Sequence, residues 1–161
     1  MLKRFFKYLS LIVFSCIFLF SCVKKTSYPS TPEIEYKAFF PYVSDSADIQ
    51  IKFTDGDGDI GTQTNDTTKS LWITYYYKDT ITQLYRGYTA CPNGCDTLRT
   101  GFIIKPPSDA YNGKPISGEL SIRMQKFRHS KKIKHVKYVM YLFDAAGNKS
   151  NVVTSPELFV N

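Results

Sequence analysis

Three carboxylates alternate with glycines in the stretch Phe53-Thr54-Asp55-Gly56-Asp57-Gly58-Asp59-Ile60-Gly61. Acids at every second position project to one side of an extended chain, and they converge if the chain curls. Ca²⁺ takes six to eight oxygens at about 2.3–2.6 Å, from carboxylates and backbone carbonyls, so the stretch is a candidate cation site. Like charges this close repel one another, and a plain turn has no need of all three. The alternative stays open that Asp-Gly pairs are ordinary turn residues facing solvent.

Counted from Asp55, positions one, three, five, seven, nine and twelve of an EF-hand-like loop fall on Asp55, Asp57, Asp59, Gly61, Gln63 and Asp66. Ile60 stands where such a loop has its glycine, Asp66 is shorter than the usual Glu, and no helical pattern flanks the stretch. The expectation is therefore a calcium-binding β-loop with Asp55, Asp57, Asp59, Gly61 and Asp66 as ligands and millimolar-range affinity. Asp144 and Asn148 add support from a second loop if the two turns share one end of the fold.

Cys91 and Cys95 bracket Pro92-Asn93-Gly94, and in an exported chain such a pair forms a disulfide. Zinc held with His129 and His135 is the weaker reading, because both histidines sit in a basic stretch that repels a cation. That stretch runs from Arg123 to Lys137; it suits acidic headgroups or glycans, or simply a solvated strand whose lysines guard an edge. Trp72, Tyr75, Tyr76, Tyr77, Tyr85 and Tyr88 are either a sugar-stacking platform or core aromatics. No Ser-His-Asp order or carboxylate with a proton partner stands out, so no enzyme is expected.

The elements that must position these residues read as strands. Ala47 to Phe53 is apolar at 47, 49, 51 and 53, which gives one buried and one wet face. Ile34 to Phe40 precedes it. Leu71 to Tyr77, Thr80 to Tyr88, Thr97 to Lys105, Ser117 to Phe127, Val136 to Leu142 and Val152 to Val160 follow. Seven or eight short strands at this spacing predict an all-β sandwich or barrel. Twelve Tyr and twelve Phe in 161 residues, with apolar residues at 43% and charged at 22%, fit a globular β domain and exclude a disordered chain.

The N-terminus reads as an address. Lys3, Arg4 and Lys7 precede an apolar run from Leu9 to Phe20 that is shorter than the roughly 20 residues a spanning helix needs. Leu19-Phe20-Ser21-Cys22 resembles the lipobox of bacterial lipoproteins, which implies cleavage before Cys22 and acylation of that residue. Two or three acyl chains make a stable anchor. Residues 1–21 are then a leader, 22–32 the lipidated cysteine and a tether, and 33–161 one domain. Without the leader's three cations the formal charge falls from +7 to +4. Its sign is segregated: five Asp against one Lys from Ala47 to Asp66, and seven Lys or Arg with no acid from Leu120 to Phe143.

Asp144-Ala145-Ala146-Gly147-Asn148-Lys149-Ser150 resembles the final hairpin of bacterial immunoglobulin-like and fibronectin type III-like domains. Together with Phe-x-Asp-Gly-Asp-Gly-Asp-Ile-Gly it is similar to a group of small Bacteroidota lipoproteins. The resemblance implies an immunoglobulin-like β-sandwich in the cell envelope and brings no activity with it. Val23 after the cysteine does not signal inner-membrane retention, and Lys24-Lys25 points to the periplasmic face of the outer membrane. Asp45-Ser46-Ala47, Asp66-Thr67-Thr68, Asp79-Thr80-Ile81 and Asp96-Thr97-Leu98 resemble the O-glycosylation sequon of that phylum. The expected role is a non-catalytic binding or structural module that meets the membrane through its lipid and an envelope protein or glycan through its surface, and no nucleic acid. A carbohydrate-binding lipoprotein of a glycan-uptake system and an accessory domain of a calcium-dependent hydrolase are the alternatives.

Overall fold

The clearest alternation in the sequence builds the centre of one sheet. Strand β2 (Ala47–Asp55) buries Ala47, Ile49, Ile51 and Phe53 and turns its even-numbered residues outward. The strand runs two residues past the apolar pattern, so Asp55 is the next inward position and lies fully buried. The computed structural model describes residues 27–42, 45–62, 67–87, 99–105, 111–125, 127, 130 and 132–160. Cys22, Asp66, Cys91 and Cys95, with Gln63 and His129, lie outside the described residues.

β2 pairs antiparallel with β1 (Glu33–Pro41) on one side and β6 (Ile116–Met124) on the other. The second sheet is centred on β3 (Leu71–Lys78) and β7 (His135–Leu142). β4 (Tyr85–Gly87) and β5 (Arg99–Phe102) pair with successive parts of β3, and β8 (Val153–Thr154) and β9 (Leu158–Phe159) with β7. Every pairing is antiparallel. A three-stranded sheet β1-β2-β6 facing a sheet ordered β4-β3-β7-β8 has the strand order of an immunoglobulin-type sandwich, A-B-E against C′-C-F-G.

Nine strands stand among the described residues where seven or eight were predicted, and local chemistry accounts for the difference. Asp79 Oδ1 accepts the N–H groups of Ile81 (2.9 Å) and Thr82 (2.8 Å), and Gln83 takes a φ of +59°. This turn consumes the first half of the predicted Thr80–Tyr88 strand. The predicted last strand divides at Ser155-Pro156. Ser155 Oγ accepts the Tyr138 N–H at 3.0 Å, and Pro156 has no N–H to continue the ladder.

The core is the meeting of the inward rows: Ile49, Ile51 and Phe53 from β2, Leu71, Ile73 and Tyr75 from β3, and Val136, Tyr138, Met140 and Leu142 from β7. Tyr138, near the start of β7, donates its hydroxyl to the Phe127 carbonyl at 2.5 Å. A buried tyrosine tying this strand to the connection before it is the tyrosine corner of such sandwiches. The chain before β1 lies on the sandwich: Pro32 is fully buried, and the Tyr28 and Pro29 carbonyls lie against Gly56. Any Cβ at Gly56 would collide with those carbonyls, so a glycine there lets the incoming chain settle on the acidic loop.

Candidate metal centre

The acidic loop leaves β2 at its buried edge and meets three other segments at one end of the sandwich. The Gly113 N–H donates to the Asp57 carbonyl at 2.5 Å, and the Thr62 N–H to the Ile104 carbonyl at 2.9 Å. Ile60 bridges to Asp144 in the hairpin after β7, and the Ala145 N–H donates to the Asp59 carbonyl at 2.9 Å. Gly61 has a φ of +86° and faces the Ile104 carbonyl with no room for a side chain. These main-chain bonds fix the two turns at the same end, as the reading of Asp144 and Asn148 required.

The result is a group of three carboxylates. Asp55, Asp59 and Asp144 each offer an oxygen, and these atoms lie within 4.8 Å of one another. Asp57, predicted as an equal ligand, is not one of the three. It lies beside Asp55 and Asp59, repels both, and has a buried Oδ1 without a hydrogen-bond partner. Asn148 acts through Asp144: its backbone N–H donates to Oδ1 at 2.7 Å and its side-chain amide to Oδ2 at 2.8 Å. Gly147, at a φ of +87°, closes this turn by donating its N–H to the Asp144 carbonyl at 3.2 Å.

Asp55 is the anomaly. Both of its oxygens are buried and neither has a hydrogen-bond partner. Taking an ionised carboxylate out of water costs several kcal/mol when nothing compensates it. Burial, then the charges of Asp57, Asp59 and Asp144, push its pKa up to about 6. Burial, then Asp144 and Asp57, likewise push Asp59 up to about 6, against the Ala146 N–H that donates to Asp59 Oδ2 at 3.1 Å and favours the ionised form. No lysine or arginine pairs with any of the three among the described residues.

Oxygen donors alone, with neither sulfur nor imidazole among them, suit a hard divalent cation such as Ca²⁺ and not zinc. Unpartnered buried oxygens on Asp55 are what such an ion would complete. His135, the histidine of the zinc reading that lies among the described residues, sits on the second sheet with its Nδ1 2.6 Å from Glu157. Of the aromatics, Tyr75 is buried and stacks on Tyr77, whereas Trp72 and Tyr76 face outward. Sequence reasoning passed over Tyr141 and Phe143, which join Trp72 on that outer face. Their alternation with Met140 and Leu142 was the signal. No protein-family model, curated protein or solved structure matches the chain.

Proposed function

We propose that the chain is an exported, lipid-anchored β-sandwich that works as a binding module of the cell envelope, and that Ca²⁺ clamps the end of the sandwich nearest its anchor. The observation that carries the reading is the Asp55 carboxylate, buried with both oxygens unpartnered beside Asp59 and Asp144. A cation there would neutralise a repulsion that otherwise works against the fold. It would also join β2, the loop after it and the β7–β8 hairpin, with the Tyr28–Pro29 segment resting on the same loop. The anchor reading rests on the leader and Cys22, the Bacteroidota resemblance supports an envelope location, and Val23 with Lys24-Lys25 supports the periplasmic side of the outer membrane. Hydroxyl or carboxylate chemistry on a substrate forms no part of this reading.

The test is a thermal melt of the full-length protein in neutral detergent, in EDTA and then in rising Ca²⁺. A ligand that binds only the native state stabilises it by RT ln(1 + [L]/Kd), about 2.7 kcal/mol at 100 times Kd. A saturable rise in midpoint is expected. No rise up to about 10 mM Ca²⁺, roughly tenfold beyond the weakest extracellular calcium modules, would sink the ion site. The anchor is read separately: mass spectrometry of the mature chain should find acyl groups on Cys22 and none after Cys22→Ser.

A further inference from the structure

The outer face of the β4-β3-β7-β8 sheet carries aromatic rings and cations in alternation. Cross-strand register sets Trp72 opposite Tyr141 and Tyr76 opposite Lys137. The Lys149 ammonium lies 4.1 Å from the centre of the Tyr141 ring, with the Arg99 guanidinium 5.7 Å from the same ring and donating to its hydroxyl at 3.0 Å. Lys137 lies 4.3 Å from the Tyr85 ring, and Lys69 lies 6.0 Å from the Trp72 ring. Among the described residues no carboxylate pairs with these four cations. The acids of this sheet, Glu157 and Asp79, are paired with Lys78, His135 and Arg86, and Glu157 lies beside Tyr85 at the edge of the surface.

Beside Trp72 the face dips into a depression of about 400 Å³, walled by Thr62, Ser70, Lys69, Phe143 and Asp144, whose carboxylate is buried and held by Asn148. An indole ring next to an ammonium group matches a sugar ring that carries an acid group. A run of stacked bases would need several ring faces free, whereas Lys149 and Lys137 already cover Tyr141 and Tyr85. A membrane would be met by protruding apolar side chains, and the most exposed of these, Ile81 and Leu84, stand on the β3–β4 turn instead.

We propose that this face is a docking surface for an acidic polysaccharide, with one sugar ring seated on Trp72 and its acid groups facing Lys69, Arg99, Lys137 and Lys149. The surface is made by β3, β5 and β7 with Lys69 and Lys149 from the flanking segments, and its depression shares the Asp144 hairpin with the ion site.

The experiment is retention of the full-length protein in neutral detergent on immobilised hyaluronate, with neutral dextran as the reference, at low and at physiological salt. Retention on hyaluronate alone, weakening as salt rises, is expected. Trp72→Ala should weaken it about tenfold, as the loss of one aromatic stacking contact would, while Trp72→Phe restores most of it. Lys149→Gln should weaken it about threefold and flatten the salt dependence, as the loss of one ionic contact would. Melting curves in EDTA and in Ca²⁺ show for each variant that the fold and the ion response are intact.

Equal retention on dextran, or Trp72→Ala binding as before, would overturn the proposal. So would an equal loss on Lys52→Gln, which lies on the opposite sheet and would mean that only net charge matters. A single-stranded oligonucleotide held as tightly at physiological salt would assign the face to that partner and overturn it too.

Discussion

The outer face of the β1-β2-β6 sheet and the acidic end of the same sheet both carry charge, and they treat it in opposite ways. On the face three acids meet bases across the strands: Lys37 with Glu119, Lys52 with Glu35, Arg123 with Asp48. Arg123 also lies over the Tyr42 ring, and its guanidinium holds the Asp48 carboxyl below the usual range. At the end of β2 the acids meet one another and neutral donors, with no base beside them among the described residues. Exposed pairs contribute little, about 0–1 kcal/mol each, because water already solvates both partners. Buried like charges are different, since burial weakens the solvation that offsets their repulsion, and a proton or a cation relieves it. The paired face balances its charges within itself, and the acidic end, on the reading proposed above, is where a cation would do so.

The strongest way to break this contrast is Asp55→Asn, which keeps the shape and removes the charge. In EDTA the melting midpoint should rise by about 3 °C or more, since each kcal/mol is worth roughly 2–8 °C in domains of this size range. The Ca²⁺-induced rise should disappear. A variant that melts lower in EDTA yet still responds fully to Ca²⁺ would show that Asp55 belongs to the fold and not to the site. Asn148→Ala leaves the three carboxylates in place and removes the amide that orients Asp144. Outer partners of metal ligands commonly contribute 10–100-fold in affinity. Calcium titrations of this variant should shift by about tenfold while saturating at a similar midpoint.

Acid sharpens the same comparison. Asp55 and Asp59 titrate near 6 in the fold, against an ordinary 3.8. Between those two values the folded state binds more protons than the unfolded chain, so stability falls as pH rises. In EDTA the midpoint should therefore climb as pH is lowered from about 7.5 through 6 and level off near 4. With Ca²⁺ present the increment due to the ion should shrink over the same window, because protons compete for the same oxygens. A flat EDTA profile across that window would mean that the carboxylates are better solvated than their burial implies. The smallest effect belongs to the paired face. Lys52→Gln removes one exposed partner of Glu35 and should move the midpoint by no more than about 3 °C, in line with the modest worth of exposed pairs.

Much of the fold was legible because strand periodicity is a local property. The predicted strand from Ala47 to Phe53 lies within β2, and Leu71 to Tyr77 lies within β3. The departures came where side chains captured the backbone, as Asp79 does at its turn and Ser155 at the break between β8 and β9. The burial of Asp55 was also within reach of the sequence. Extending the alternation of β2 by one step puts this carboxylate in the same row as Ile51 and Phe53.

What the sequence determined by itself is the all-β class, the strand positions and an acidic, glycine-rich loop, for each of these depends on neighbours a few residues apart. Which acids converge was decided by tertiary structure alone. Asp144 reaches Asp55 and Asp59 because β7 lies in the facing sheet and Ile60 bridges back to its hairpin, and Asp57, midway between the two in sequence, is left out of the triad. Spacing along a chain sets which way each side chain points. Only the packing of one sheet on the other sets what it points at.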